Sequence, residues 1–276
     1  GTISSEGDVL MNVLNGSGIN EGDMEITDNA IGIDVVSGSG SNTGNMNIKG
    51  MNATGIQVTT GSGSNNGTMS VSGTSASGMN ANNGGATVTN SSDGTISVKG
   101  SQAAGLKTNG GTAINEGAIS VSSTDGYAMY ADNGGTIKNT SEATIQTAGS
   151  SAMYANVGNI INEADLTSSN NNFKALYVAQ SGNVNNSGDI DLTGTSSSAI
   201  YVAGGANANV TNSGDLKLSG SGSIGIYVAK GTVTNSGNIS MSGQNSSGLV
   251  GIQVDSGAIN NTGNILVDSS SAIGIM

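Results

Sequence analysis

A motif of about 24 residues recurs eleven times along the chain of 276 residues, and this repeat constrains the fold more than any other feature. Each copy contains an asparagine, a turn, an apolar segment, a polar loop and a second apolar segment. Repeats of this length are typical of solenoids, propellers and repeat arrays. The marker asparagines, one in each copy, are Asn20, Asn42, Asn65, Asn90, Asn115, Asn139, Asn162, Asn186, Asn212, Asn235 and Asn261.

The spacing of apolar residues inside each copy indicates β-strands. Apolar and polar residues alternate in three short segments, as they do on strands with one buried face. In one copy the inward residues are Val233 and Asn235, then Ile239 and Met241, then Ile252 and Val254. No segment shows the period of an amphipathic helix. A propeller blade needs about 40 residues and four antiparallel strands, so this repeat is too short for a propeller.

These patterns predict an all-β fold, a right-handed parallel β-helix (β-solenoid) of about eleven coils of about 24 residues with three short strands each. The hand follows from the right-handed crossovers usual between parallel strands. The marker asparagines are expected to stack along one edge and to hydrogen-bond from coil to coil. Residues 1–17 are expected to form an irregular first coil or the edge of a longer solenoid. Residues 18–276 are expected to form the β-helix repeats as a single-domain fragment.

The first strand of the repeat changes along the chain. Two residues before the marker asparagine, the later copies carry Val, Ile or Ala, whereas the first three carry Gly18, Gly40 and Gly63. We therefore expect this wall to be irregular or thinly packed in the first three coils. The last copy stops inside a strand at residues 273–276. Because solenoids need polar caps at their ends, we expect the chain to be a segment of a longer solenoid.

Composition removes whole classes of chemistry. The chain has no Cys, His, Pro or Trp, and its seven basic residues are all lysines. Zinc and copper sites, cysteine nucleophiles and a Ser-His-Asp triad therefore cannot form from its own residues. The net charge of −12 argues against nucleic acid and against anionic membrane surfaces. The sequence predicts no catalytic residues, no cofactor and no bound metal.

Two stretches resemble a known family of bacterial surface proteins. The segment that runs VTNSGNISMSG from Val233 and the segment SAIYV from Ser198 are similar to passenger repeats of large type V autotransporter adhesins, especially the long fusobacterial ones. The resemblance covers nearly all of the chain after about Gly18. It implies export through a translocator barrel in the outer membrane, which is absent from this chain, and display as an extracellular passenger on the bacterial surface. It also implies attachment to a protein or glycan receptor on host cells or other bacteria.

A row of tyrosines is the strongest candidate for a binding surface. Five of the six tyrosines occupy the same outward position of the third strand in consecutive copies. Exposed aromatic side chains can hold sugar faces or anchor a protein partner. Equivalent side chains on adjacent coils can also simply stack and stabilise the sheet. The possible partner-binding strip consists of Tyr130, Tyr154, Tyr177, Tyr201 and Tyr227.

An acidic row is the second candidate. Asp165, Asp189 and Asp215 follow the turn in three consecutive copies, with Glu163 and Asp191 close by. Oxygen ligands at such spacing can hold Ca²⁺, although they also occur as solvated turn residues, with Asp191 facing a lysine, Lys217, on the next coil. Paired carboxylates also raise the alternative of a carbohydrate-active β-helix enzyme, and outward threonines that of an ice-binding solenoid. The reading we favour is a non-enzymatic passenger segment that serves as a rigid stalk and adhesin.

Overall fold

The chain is an all-β parallel β-solenoid of about 11 turns, as predicted, in a computed structural model that describes residues 2–5 and 8–276. These residues contain strands and no helix. Accordingly, the described part of the chain holds no helix long and apolar enough to cross a membrane. The chain divides into two compact units, Gly1–Gly149 and Ser150–Met276, which are described separately below.

Three walls of parallel strands build the first unit. The marker wall, whose strands end at a marker asparagine, contains β3 (Ser17–Asn20), β6 (Ser39–Asn42), β9 (Gly61–Asn65), β12 (Ala86–Asn90), β15 (Thr112–Asn115) and β18 (Gly135–Asn139). The second wall contains β1 (Thr2–Ser5), β4 (Asp23–Ile26), β7 (Asn45–Ile48), β10 (Thr68–Val71), β13 (Thr95–Val98), β16 (Ala118–Val121) and β19 (Thr144–Thr147). The third wall contains β2 (Val9–Val13), β5 (Ile31–Val35), β8 (Thr54–Val58), β11 (Ser77–Ala81), β14 (Ala104–Asn109) and β17 (Tyr127–Asp132).

The second unit also consists of three walls of parallel strands, named by the same positions in the repeat. One long strand, β20 (Ser151–Asn162), belongs to the third wall in its first half and to the marker wall in its second half. The second wall contains β21 (Leu166–Ser168), β24 (Ile190–Leu192), β27 (Leu216–Leu218), β30 (Ile239–Ser247) and β33 (Ile265–Ser270). The third wall continues with β22 (Lys174–Ser181), β25 (Ser198–Val202), β28 (Ile224–Val228), β31 (Val250–Val254) and β34 (Ile273–Ile275). The marker wall continues with β23 (Val184–Asn186), β26 (Ala208–Asn212), β29 (Gly231–Asn235) and β32 (Gly257–Asn261).

The walls keep the register that the repeat predicts, apart from shifts between Ala155 and Val157 and between Ser242 and Ser247, so equivalent residues of neighbouring coils lie side by side. Met46, for example, pairs with Met24 on one side and Met69 on the other, and all three are fully buried. Seven of the ten methionines are 0% exposed, namely Met24, Met46, Met69, Met79, Met129, Met153 and Met241. Apolar columns of this kind supply the burial that holds the coils together. The last coil departs from the pattern, since Val267 is 44% exposed.

The marker asparagines form the predicted ladder in each unit. In the first unit, the side-chain amide of each donates to the Oδ1 of the next, from Asn20 to Asn139, with N···O distances of 2.7 to 2.9 Å. The same contact runs from Asn162 to Asn261 in the second unit, at 2.7 to 2.8 Å. The second amide hydrogen generally bonds a carbonyl in the following turn, as Asn186 does with Gly188 O at 2.8 Å. A buried amide is thus satisfied on both sides.

The marker wall of the first three coils is regular, so the expectation of an irregular or thin wall was wrong. The strands β3, β6 and β9 pair in parallel, residue for residue. A Cβ added at Gly40 would lie 2.6 Å from Val35 Cγ2 and 2.9 Å from Ile33 Cγ2. Glycine is therefore required here because the third wall fills the space that a side chain would occupy.

The predicted boundary between residues 17 and 18 stays a prediction. Within the segment expected to be an irregular first coil, residues 1, 6 and 7 lie outside the described residues. The remainder includes β1, which pairs in parallel with β4, and β2, which pairs in parallel with β5.

Candidate functional site

Four of the five predicted tyrosines form a continuous row in the second unit. Tyr154, Tyr177, Tyr201 and Tyr227 are direct register partners on the outward face of the third wall. Each is half-buried, because the neighbouring side chains of the row cover part of its ring. The column ends at Gln253 on the next strand. Register alone places these side chains together, because a parallel strand pair brings equivalent positions side by side.

The rings of this row contact one another in sequence. Tyr154 and Tyr177 meet edge to face, with centroids 5.1 Å apart and an interplanar angle of 85°, and Tyr177 meets Tyr201 similarly at 5.6 Å and 77°. Tyr201 and Tyr227 stack at 4.6 Å and 24°. Both geometries are favourable for aromatic pairs. Because ring faces turn toward ring neighbours, the row offers a partner mainly ring edges and hydroxyl groups.

Lys174 adds a positive charge to the row. Its Nζ atom lies 5.4 Å from the centroid of the Tyr177 ring and 5.1 Å from that of Tyr201. Both distances lie within the range of a cation–π contact. Lys174 is the first residue of β22, so the strand that carries Tyr177 also positions the lysine. The sequence reasoning missed this contact, since Lys174 and the tyrosines occupy different columns.

A carboxylate terminates the row. The Tyr227 hydroxyl donates to Asp255 Oδ2 at 2.7 Å, and the side-chain amide of Gln253 donates to Asp255 Oδ1 at 3.0 Å. The hydrogen bond to Asp255, together with burial, raises the pKa of Tyr227 to about 12. The same bond is the main cause that lowers the pKa of the Asp255 carboxyl below its ordinary value. Burial, and then the nearby Tyr177 and Asp255, raises the pKa of Tyr201.

The fifth predicted tyrosine, Tyr130, lies in the first unit with different neighbours. Its ring meets that of Tyr127 edge to face at 5.3 Å and 63°, and Lys107 Nζ lies 5.8 Å from its centroid. The Tyr130 hydroxyl donates to Asp132 Oδ2 at 3.4 Å. Tyr127 lies outside the predicted strip because it stands three residues before Tyr130, at another position of the strand.

The acidic row is a ladder of hydrogen bonds between coils. Asp165 Oδ1 accepts the backbone N–H of Asp189 at 2.9 Å, and Asp189 Oδ1 accepts that of Asp215 at 2.8 Å. Asp215 Oδ1 in turn accepts the backbone N–H of Asn238 at 2.8 Å. Asp191 faces Lys217 in register, as predicted. Across the described residues, no group of three or more acidic side chains is arranged to hold a metal ion.

Comparison with known proteins gives one family. Residues 125–264 match the family described as the BigA third pectate lyase-like domain, and this segment is 140 of the 276 residues of the chain. No curated protein and no solved structure shows a significant match. The matched segment includes the whole tyrosine row of the second unit and the acidic row. Because the match extends over more than half of the sequence, the chain belongs to the family of the BigA third pectate lyase-like domain.

Proposed function

We propose that the chain is part of a surface-displayed autotransporter passenger, in which it acts as a rigid stalk and as an adhesin toward host cells or other bacteria. The family match supports a passenger of this general type, and the parallel solenoid supplies the stalk. The likeness to fusobacterial passengers, drawn from sequence motifs, is the finer form of the same proposal. Display of the chain at the outer surface of the bacterium is part of the same proposal.

The tyrosine row of the second unit is the observation that carries the adhesive part of this proposal. Two other repeated polar columns, the marker asparagines and the acidic row, bond to the next coil. The row instead holds aromatic edges, hydroxyls and the charge of Lys174 on an outward face. Tyrosine is enriched where proteins contact partners because it offers apolar area together with a polar tip. The partner would be a protein or glycan receptor.

A carbohydrate-active enzyme is the second candidate, and the description "pectate lyase-like" favours it. Its carboxylates would be those of the acidic row. These already accept backbone N–H groups from the next coil, which is a structural role. The chain also lacks arginine, a residue that commonly holds acidic sugars. An assay for release of reducing ends from acidic and neutral polysaccharides distinguishes the enzyme from the adhesin.

The test of the adhesin is a triple substitution, Tyr154→Ser, Tyr177→Ser and Tyr201→Ser, in the whole chain displayed on beads. A matched control changes three exposed residues of the marker wall, Asn185, Thr211 and Thr234, to Ser. The tyrosine variant should adhere less to receptor-bearing cells than the control, although both retain the circular dichroism of the β-solenoid. Contacts through aromatic groups should also persist in high salt, which screens exposed charges. Equal adhesion of the folded variants would contradict binding through the row and would leave the chain with the role of a stalk only.

A further inference from the structure

A notch in the first unit arises from a change of side-chain size along one column. The first position of the third-wall strands is Ser77 in β11, Ala104 in β14 and Tyr127 in β17, and these residues are register partners. The large ring of Tyr127 therefore follows two small residues, both buried. The result is a depression of about 370 Å³, here called the Tyr127 notch and lined by Ser75, Ala76, Gln102, Ala104, Lys107, Tyr127 and Tyr130.

The Tyr127 notch combines aromatic, cationic and hydrogen-bonding groups. Its two rings meet at 63°, so they form two sides of a corner rather than a flat stack. Lys107 Nζ lies over the Tyr130 ring. Among the described residues, Lys107 makes no ion pair. The exposed side chains of Gln102 and Ser75 stand at the rim, each on a turn residue with positive φ, 54° and 56° respectively.

We propose that the Tyr127 notch binds a single sugar residue that carries a carboxylate, such as a sialic acid or a uronic acid. This inference rests on the proposed adhesive function and names the class of ligand. The volume suits one sugar ring rather than a folded peptide element. The tyrosine corner offers apolar contact to the C–H face of a sugar. Lys107 offers a charge-assisted hydrogen bond to the carboxylate, and the Gln102 amide and Ser75 hydroxyl can pair sugar hydroxyls.

Because the chain carries a strong net negative charge, binding of an acidic sugar is a specific test of the contribution of Lys107. A net charge of −12 repels anions at long range, so an acidic sugar gains nothing from the field of the whole protein. Binding must therefore depend on Lys107 at short range. Removing that charge should weaken an acidic sugar far more than its neutral counterpart. One ring in an open notch predicts a dissociation constant on the order of millimolar for the free sugar.

The experiment is a titration of the whole chain with free sugars, followed by chemical-shift changes of the protein. The probes are N-acetylneuraminate and glucuronate, with the methyl ester of glucuronate and glucose as neutral counterparts. We expect saturable shifts with at least one acidic sugar and binding about tenfold weaker for the neutral ones, since hydrogen bonds to charged groups are the stronger class. Tighter binding of one of the two acids indicates whether the notch prefers a sialic acid or a uronic acid.

Two substitutions test whether the sugar binds in the notch. Each introduces a residue that already occurs at the equivalent position of an earlier coil. Lys107→Gln introduces the residue that Gln57 supplies at this outward position two coils earlier, and Tyr127→Ser introduces that of Ser77. Both should remove most of the binding of the acidic sugar and leave the circular dichroism unchanged. Lys99→Gln, which removes an exposed lysine of the same unit that does not line the notch, is the matched control and should bind normally.

Three results would overturn the inference: no saturable binding up to roughly 50 mM, equal binding of acidic and neutral sugars, or full binding by both notch variants. The titration involves no cells, so its outcome is separate from that of the adhesion assay. Adhesion without sugar binding would overturn the notch and leave the proposed function standing. Sugar binding in a chain that does not adhere would leave the notch standing and overturn the adhesin.

Discussion

At the scale of the residue, stability depends on a polar group repeated inside the core. A single buried amide is costly unless all of its hydrogen-bonding groups find partners. Asn186 accepts from Asn162 and donates to Asn212 and to Gly188 O, so one side chain joins three coils. Its outward neighbour Asn185 is exposed. These adjacent asparagines provide a direct test of the ladder.

Replacement of Asn186 by Ala should lower the free energy of unfolding by about 3 kcal/mol, because the partners on both sides lose their bonds while they stay buried. Replacement of Asn185 by Ala should change it by less than about 0.5 kcal/mol, as is usual for an exposed residue. The measurement is denaturant unfolding followed by circular dichroism. Similar losses of unfolding free energy in the two variants would show that the hydrogen-bond ladder does not make the inward asparagine more stabilising than the exposed one.

The hydrogen bond between Tyr227 and Asp255 should appear in an alkaline titration. The pKa of Tyr227 is raised from an ordinary value of 10.0 to about 12, so its phenolate should form near pH 12. The folded state therefore holds this proton more tightly than the unfolded state. Its stabilising contribution is complete below pH 10 and is lost as the pH rises toward about 12.

Absorbance of the phenolate measures this directly. The late component near pH 12 should vanish in Tyr227→Phe and move to lower pH in Asp255→Asn, since an amide removes the charge that opposes ionisation. Tyr154→Phe, at the other end of the row, serves as the control and should keep the late component. A component near pH 12 that survives in Tyr227→Phe would contradict the assignment of that pKa to Tyr227.

At the scale of the element, the walls of one coil compensate for each other in size. Gly63 of the marker wall lies against Ile56 and Val58 of the third wall, and an added Cβ would be 2.9 Å from the Cγ2 atom of each. In the next coil, the register partners of Gly63 and Val58 are Val88 and Ala81. A larger residue on one wall thus accompanies a smaller one on the other, which keeps the narrow core filled.

A substitution cycle tests this compensation. Gly63→Val alone should cost about 1–3 kcal/mol through overpacking, and Val58→Ala alone should cost on the order of 2 kcal/mol through a cavity. The double variant reproduces the Val88 and Ala81 pair of the next coil. It should be more stable than the sum of the single losses predicts, by more than about 1 kcal/mol. Additive losses would show that the two walls do not share the space.

The sequence predicted the structural properties that depend on the repeat period alone. It did not predict those that depend on how side chains from different walls pack against each other. The repeat length and the alternation of apolar residues give the coils, the inward pairs and the asparagine ladder. The Gly63 wall was mispredicted because each wall was considered alone, without Val58 opposite it. The ring angles of the tyrosine row and the Tyr127 notch could not be predicted. They depend on rotamers and on contacts between different columns, such as that of Lys107 with Tyr130.

At the scale of the whole molecule, negative charge opposes folding. The chain has nineteen acidic residues and seven lysines, and Lys49 forms an ion pair with Glu25 at 3.1 Å. Self-repulsion of this kind destabilises a compact state and is weakened by salt. The acidic row concentrates the effect, because register places its three aspartates on successive coils. We therefore expect the free energy of unfolding to rise with added NaCl at low ionic strength.

The sharpest probe of this charge is Asp189→Asn. Two coils later the column carries Asn238, whose Oδ1 accepts the backbone N–H of Asn264 at 3.3 Å, so an amide can replace the carboxylate as acceptor. The substitution removes two like-charge neighbours about 5 Å away, each worth less than about 1 kcal/mol in water. It should stabilise the chain by about 0.5 kcal/mol at 10 mM NaCl, and this gain should disappear near 0.5 M.

Asp93→Asn, at an exposed turn of the first unit, is the control and should show a smaller gain. Loss of stability in Asp189→Asn at low salt would mean that the carboxylate has a stabilising role that an amide cannot fill. A carboxylate, unlike an amide, can bind a cation through its charge, so the measurement should then be repeated with Ca²⁺ and with a chelator. Stabilisation of the natural chain by Ca²⁺, absent from the variant, would replace the hydrogen-bond ladder with a calcium site as the role of this row.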